Sequence, residues 1–349
     1  MIREVHYPAL SSDASRVAFS FQGDLWVANI EDGIATRLTV SDAHDARPRF
    51  SPDGRSIAFV SNRYGNWDVF VMPASGGTIE RVTYHSGNDT LADWSPDGKK
   101  LLMSCSGRGH KWTSPYEIEI ETGYIRQVLR DACSVHATGY SPDGKKICGI
   151  RRGTSWWRKG HRGSGNSQVM VYDVETDTMD VVTSFAGMDN WPLFNEDGSG
   201  IYFVSERNGR PNVFSMKLDG RENAKAITRF QKDAVTFLSA SADRKWLVFE
   251  WNFGVYMVRA GGGKPRELTL RAPIDHRKTF ETTETVKDGI QEMEVNRDGS
   301  LVAIRVKEDI FFVRPEFKND SIRLTDWAGP DGDCFWSPDG KELAYISQV

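Results

Sequence analysis

Phe50-Ser51-Pro52-Asp53-Gly54-Arg55-Ser56-Ile57-Ala58-Phe59-Val60-Ser61 is the stretch from which the fold can be read. Proline presets φ, the aspartate bonds back to the backbone, and glycine takes the left-handed position, so the chain reverses tightly. An apolar strand, Ile57-Ala58-Phe59-Val60, leaves the turn. Polar residues 62–66 follow, then a third strand at Asp68-Val69-Phe70-Val71. A Gly76-Gly77 turn leads to an outer strand, Glu80-Arg81-Val82-Thr83. This is the grammar of one four-stranded antiparallel meander.

The same grammar recurs along the chain. Ser95-Pro96-Asp97-Gly98, Ser141-Pro142-Asp143-Gly144 and Ser337-Pro338-Asp339-Gly340 are near copies of the turn. Weaker copies are Ser12-Asp13, Glu196-Asp197-Gly198, Ala242-Asp243-Arg244 and Arg297-Asp298-Gly299. The anchoring aspartates are spaced by 40, 44, 46, 54, 46, 55 and 41 residues, which is the period of a propeller blade. Third strands recur as Leu25-Trp26-Val27 and Val255-Tyr256-Met257, fourth strands as Arg37-Leu38-Thr39 and Arg323-Leu324-Thr325. A single blade cannot bury its own faces, and a ring of them can. The fold class expected is all-β, a β-propeller.

Six blades are predicted over residues 1–270. A Thr/Glu/Lys-rich stretch over 271–289 reads as a linker, and 290–349 as one and a half blades of a second propeller. The half blade would leave bare strand edges, so the expectation is a fragment cut inside that second ring. A single ring of seven or eight blades is the alternative.

Composition agrees with this architecture and narrows the function. The 349 residues are 39% hydrophobic and 11% aromatic, with a net charge of −4 and no basic stripe, so a nucleic-acid partner is not expected. Cys105, Cys133, Cys148 and Cys334 have neither disulfide-framework nor zinc-site spacing. No stretch approaches 18 apolar residues, so no membrane span is expected and a cytoplasmic location is (periplasmic, had a signal peptide been removed). There is no G-x-S-x-G elbow and no H-E-x-x-H motif. Gly160, Gly163 and Gly165 do not form a phosphate-binding loop, and Asp331-Gly332-Asp333 reads as a turn instead of a calcium loop. Catalytic residues, metals and cofactors are therefore not predicted.

Two features suggest binding. His44, His85 and His136 each precede a blade's anchoring aspartate and could meet on one ring face, although solvated loop histidines are the simpler account. The fourth blade carries an insertion with Arg151, Arg152, Trp156, Trp157, Arg158, Lys159, His161 and Arg162. Such groups on a rim loop suit a peptide carboxylate or a neighbouring subunit. They also suit pinning a long hairpin by Arg–Trp stacking, and both readings stay open.

The Ser-Pro-Asp-Gly blades resemble those of TolB, of prolyl oligopeptidase propellers and of tricorn proteases. The opening, Tyr7-Pro8-Ala9-Leu10-Ser11 through Gly23-Asp24-Leu25-Trp26-Val27, is similar to the first tricorn blade. The insertion, residues 151–163, resembles the Trp-Lys-Gly-Tyr-Arg-Gly-Gly segment of tricorn enzymes, with His161 where they often have Tyr. The resemblance covers the whole chain. It implies a six-bladed propeller followed by the opening of a seven-bladed one, in a large oligomeric serine peptidase that trims peptides. In that family propellers act as passages and filters, and downstream PDZ and catalytic domains supply the chemistry, so the partners implied are peptides and other domains or subunits. The family's catalytic Ser and His map onto no residue of this chain. A stand-alone protein-docking propeller of TolB type and the lid of a prolyl-oligopeptidase-like hydrolase are the alternatives.

Overall fold

The computed structural model describes residues 2–108, 111–153, 157–219, 223–272, 289–307, 309–315, 321–325 and 331–347. The chain divides into two compact units, 1–274 and 275–349. Among the described residues every regular element is a strand. Most of the linker expected over 271–289 lies outside the described residues.

The first unit holds six four-stranded antiparallel meanders, each with its strands in sequence order. They occupy residues 6–37, 45–81, 89–127, 135–181, 189–226 and 236–267, numbered here as blades one to six. Their first strands are His6–Leu10, Asp45–Phe50, Asp89–Trp94, Val135–Tyr140, Asp189–Phe194 and Thr236–Ala240. Each of these touches the first strand of the next blade, and Thr236–Ala240 touches His6–Leu10. The six therefore form a closed ring with the first strands innermost.

The core is divided in the same way. Each of six apolar clusters lies between two neighbouring blades: Ala18 and Leu25 pack on Ile57 and Phe59, and Cys148 and Val169 on Phe194 and Phe203. The sixth cluster joins Val248, Val255 and Met257 of blade six to Val17, Phe19 and Trp26 of blade one. Second and third strands are nearly all buried because both of their faces meet a neighbour. Among the described residues no strand is exchanged to close the ring. The chain leaving blade six instead runs beside the outer edge of blade one, where Arg271 N–H donates to Gly33 O and Ala35 N–H to Arg271 O, both at 2.8 Å.

The repeated residues have repeated jobs. Ser51 Oγ donates to Asp53 Oδ1 at 2.6 Å, Arg55 N–H donates to the same oxygen, and Ser56 N–H donates to Ser51 Oγ. The turn is thus tied by side chains to its own backbone. Where serine is missing, Asn195 and Asn296 accept the corresponding N–H. The fourth strands are shorter than the sequence predicts: Glu80–Arg81 ends before Thr83. Thr83 Oγ1 leaves the ladder to accept Val69 N–H at 2.9 Å, while Arg81 pairs with buried Asp68 at 2.7 Å. Thr39 and Thr325 do the same for Leu25 and Ile310, and Arg37 and Arg323 for Asp24 and Asp309. A second buried pair braces the innermost strand in blades two, three and five, as Asp45–Arg63, Asp89–Arg108 and Asp189–Arg207. Aromatic rings cover Arg63 and Arg207, and removing either arginine would strand a buried carboxylate.

The second unit contains one four-stranded meander, 290–323, and a strand pair, Asp331–Trp336 with Leu343–Ser347. They pack around Ala303, Ile310 and Cys334. The turn expected at Asp331-Gly332-Asp333 is the start of a strand. Its bend is a bulge, with Asp333 at φ 46°, which is why the residues looked turn-like.

Candidate functional site: the channel of the six-bladed ring

The innermost strands do not run regularly. The ladder slips at the first strand of all six blades. Within the slips of blades one, two, five and six, Tyr7, Arg47, Trp191 and Phe237 have φ of 57°, 55°, 49° and 49°. Side chains with a β-carbon avoid this region, and holding one there costs roughly 1–3 kcal/mol. Four blades carry that strain at one level of the ring, and it re-aims four large side chains.

Those side chains meet. The Tyr7 and Phe237 rings are edge to face at 4.4 Å, Trp191 and Phe237 lie at 5.2 Å, and the Arg47 guanidinium stacks 4.7 Å over Tyr7. Arg47, Trp191 and Phe237 line a cavity of about 300 Å³ together with His136 and Gly153. Burial first, then the Arg47 charge, hold His136 below the ordinary histidine value, which favours the neutral ring at neutral pH. At the seam Glu250 Oε1 accepts Tyr7 N–H at 2.6 Å and Oε2 faces His6 Nδ1 at 3.3 Å. Burial raises the Glu250 carboxyl despite these partners.

A second cavity of about 290 Å³ opens on the Pro-Asp-Gly side, between Pro52, Pro96 and Pro142. Arg49, Thr138 and Leu193 line both cavities and form the waist between them. Arg49 Nε donates to Ala92 O at 3.0 Å and Nη1 to Pro48 O at 2.9 Å. Burial pushes its guanidinium down to about 10, and Asp93 opposes that fall. The group remains charged at neutral pH.

The insertion of blade four lies on the other side, where Gly153 reaches the first cavity. Arg151 pairs with Asp131 at 2.6 Å and serves as this blade's internal brace. Arg152 donates to Ser164 O. Lys159 reaches Asp233 at 3.3 Å, Arg162 reaches Glu206 at 3.0 Å, and Gly160 N–H donates to the same carboxylate at 3.0 Å. Arg162 also stacks over Phe185. Trp157 and Arg158 are exposed, His161 is half-buried, and Trp156 lies outside the described residues. The insertion is thus tied to blades five and six by ion pairs from Lys159 and Arg162.

The three histidines do not assemble. His136 lies in a strand and lines the channel, whereas His44 and His85 stay in the connections, where His85 Nδ1 accepts Gly87 N–H. Among the described residues no group of three potential ligands could hold a metal.

Except for His136, the channel residues were missed in the sequence, although a signal was there. Tyr7-Pro8, Arg47-Pro48 and Trp191-Pro192 each place a proline inside an innermost strand. Proline cannot donate to a ladder, so it marks a bulge.

Comparison with known proteins gives four results. The family described as the tricorn protease N-terminal beta propeller domain matches residues 3–264. A tricorn protease homolog of Saccharolobus solfataricus is 24% identical over 367 residues, covering 98% of this chain and 32% of that protein. Tricorn protease homolog 1 of Streptomyces coelicolor is 26% identical over 275 residues, covering 73% and 24%. The crystal structure of the tricorn protease aligns with a TM-score of 0.68 at 20% identity, over 99% of this chain and 33% of that one. The chain therefore spans no more than about a third of the length of these relatives.

Proposed function

The chain belongs to the tricorn protease N-terminal β-propeller family, and from that premise we propose that its six-bladed ring is a non-catalytic passage for peptides within a larger serine peptidase. The observation that carries this reading is the belt of Tyr7, Arg47, Trp191 and Phe237, drawn from four blades and held at positive φ around the axis. Flat aromatic faces accept successive peptide side chains without demanding one sequence, as a passage requires. The insertion, fixed beside the same mouth, contributes its exposed Trp157 and Arg158 to the rim. Chemistry belongs, on this reading, to other parts of the protease, and the ring also supplies assembly contacts.

Fluorescence anisotropy of labelled, unstructured peptides titrated with the purified chain tests the reading. Binding should weaken about tenfold in Trp191→Ala, the loss of one well-packed aromatic contact, with the circular dichroism spectrum unchanged. The chain should leave the peptides intact. Equal binding by the variant, or hydrolysis blocked by a serine-directed inhibitor, would refute it.

A further inference from the structure

In a ring of six, blade three stands opposite blade six. Arg244 of blade six nevertheless reaches Asp93 of blade three, Nη2 to Oδ2 at 3.6 Å. Both line the cavity on the Pro-Asp-Gly side, so this ion pair crosses the channel.

The backbone beneath Arg244 is left-handed, as it is at the equivalent Ala14 of blade one, where φ is 54°. Blades two to five have Gly54, Gly98, Gly144 and Gly198 at this turn position, with φ from 70° to 73°. Blade six adopts the same conformation with arginine, at φ 56°, a strain that persists where surrounding contacts hold it. The strained turn aims a guanidinium at the axis.

The charges lining the two cavities do not balance. The charged residues lining the two cavities are Arg47, Arg49, Arg244 and Asp93, three cations against one anion in a chain of net charge −4. Among the described residues Arg47 and Arg49 form no ion pair. Arg49 spends its bonds on carbonyl oxygens. Guanidinium groups recognise carboxylates through paired N–H donors, and Asp93 is the single carboxylate supplied by the lining.

We propose that the Arg244–Asp93 pair is a latch across the channel, opened by a carboxylate carried on the passing peptide, which replaces Asp93 as the partner of Arg244 beside Arg49. This rests on the channel taking peptides, and adds that it selects those bearing a carboxylate. An acidic side chain and a free C-terminus offer the same chemistry.

Four peptides of one neutral sequence separate the cases: free C-terminus, amidated, amidated with one Glu, and amidated with Lys in its place. Peptides with an added carboxylate should bind about tenfold more tightly than the amidated one, the effect of one charge-assisted contact. The gain should shrink with added salt. Whichever of the first and third peptides shows it identifies the source. Arg244→Gln should erase the gain. Asp93→Asn, which releases Arg244 without removing a cation, should enlarge it, and serves if Arg244→Gln fails to fold. Equal binding of all four peptides by the wild type and Asp93→Asn would overturn the latch and leave the passage standing. Absence of binding by every peptide would overturn both.

Discussion

A β-carbon on Gly33 would lie 1.9 Å from the carbonyl oxygen of Thr269. The seam between the first and last blades of the ring therefore admits only a bare α-carbon at that point. Its closure depends on the hydrogen bonds beside it, Arg271 N–H to Gly33 O and Ile2 N–H to Leu270 O.

Gly33→Ala should accordingly lower the unfolding free energy by roughly 1–3 kcal/mol. Gly33→Asn separates two causes. Asparagine tolerates the φ of 70° found here but brings the same β-carbon, so it should be no better than alanine. A thermal melt in which either variant matches the wild type would show that the seam has room to adjust.

The turn aspartates predict the acid limb of stability. Hydrogen bonds from Ser11, then from Ser15, hold Asp13 down to about 2. Asp53, Asp97 and Asp143 are lowered for the same reason. A carboxyl lowered on folding stabilises above its unfolded value and loses that contribution as pH falls through the folded one. Stability should thus fall between about pH 4 and about 2. Buried Asp24, Asp68 and Asp189 are raised by burial, so they bind protons more tightly when folded and do not add to that loss. Asp53→Asn should flatten the dependence in urea titrations across this window; an unchanged slope would count against the turns as its origin.

Glu206 is the anchor of the insertion, because Gly160 N–H and Arg162 both end on its buried carboxylate. Glu206→Ala should leave the blades folded and loosen the hairpin. Trypsin should then cut after Arg158 or Lys159 several-fold faster, as expected when local opening becomes easier. Asp233→Asn, which weakens the Lys159 pair and keeps both cleavage sites, should change little, since an exposed pair contributes under about 1 kcal/mol. Equal cutting rates for Glu206→Ala and wild type would place the anchor elsewhere.

What the sequence determined is the blade. The Ser-Asp turn closes within five residues, and the Asp68–Arg81 and Thr83–Val69 ties span 13 and 14. Such short loops are closed by residues that can be seen together, so the repeat, its period and its strand order are legible in the chain. The insertion was legible as a feature, but its anchors on Glu206 and Asp233 were not, because they belong to other blades.

Only the tertiary structure decided the channel. Tyr7 meets Phe237, and Asp93 meets Arg244, across separations that no local pattern encodes. They come together because six interblade cores fix how many blades fill the circle, and the seam at Gly33 joins the last to the first. Side chains that share an axis without sharing a strand acquire their neighbours only when the ring is closed.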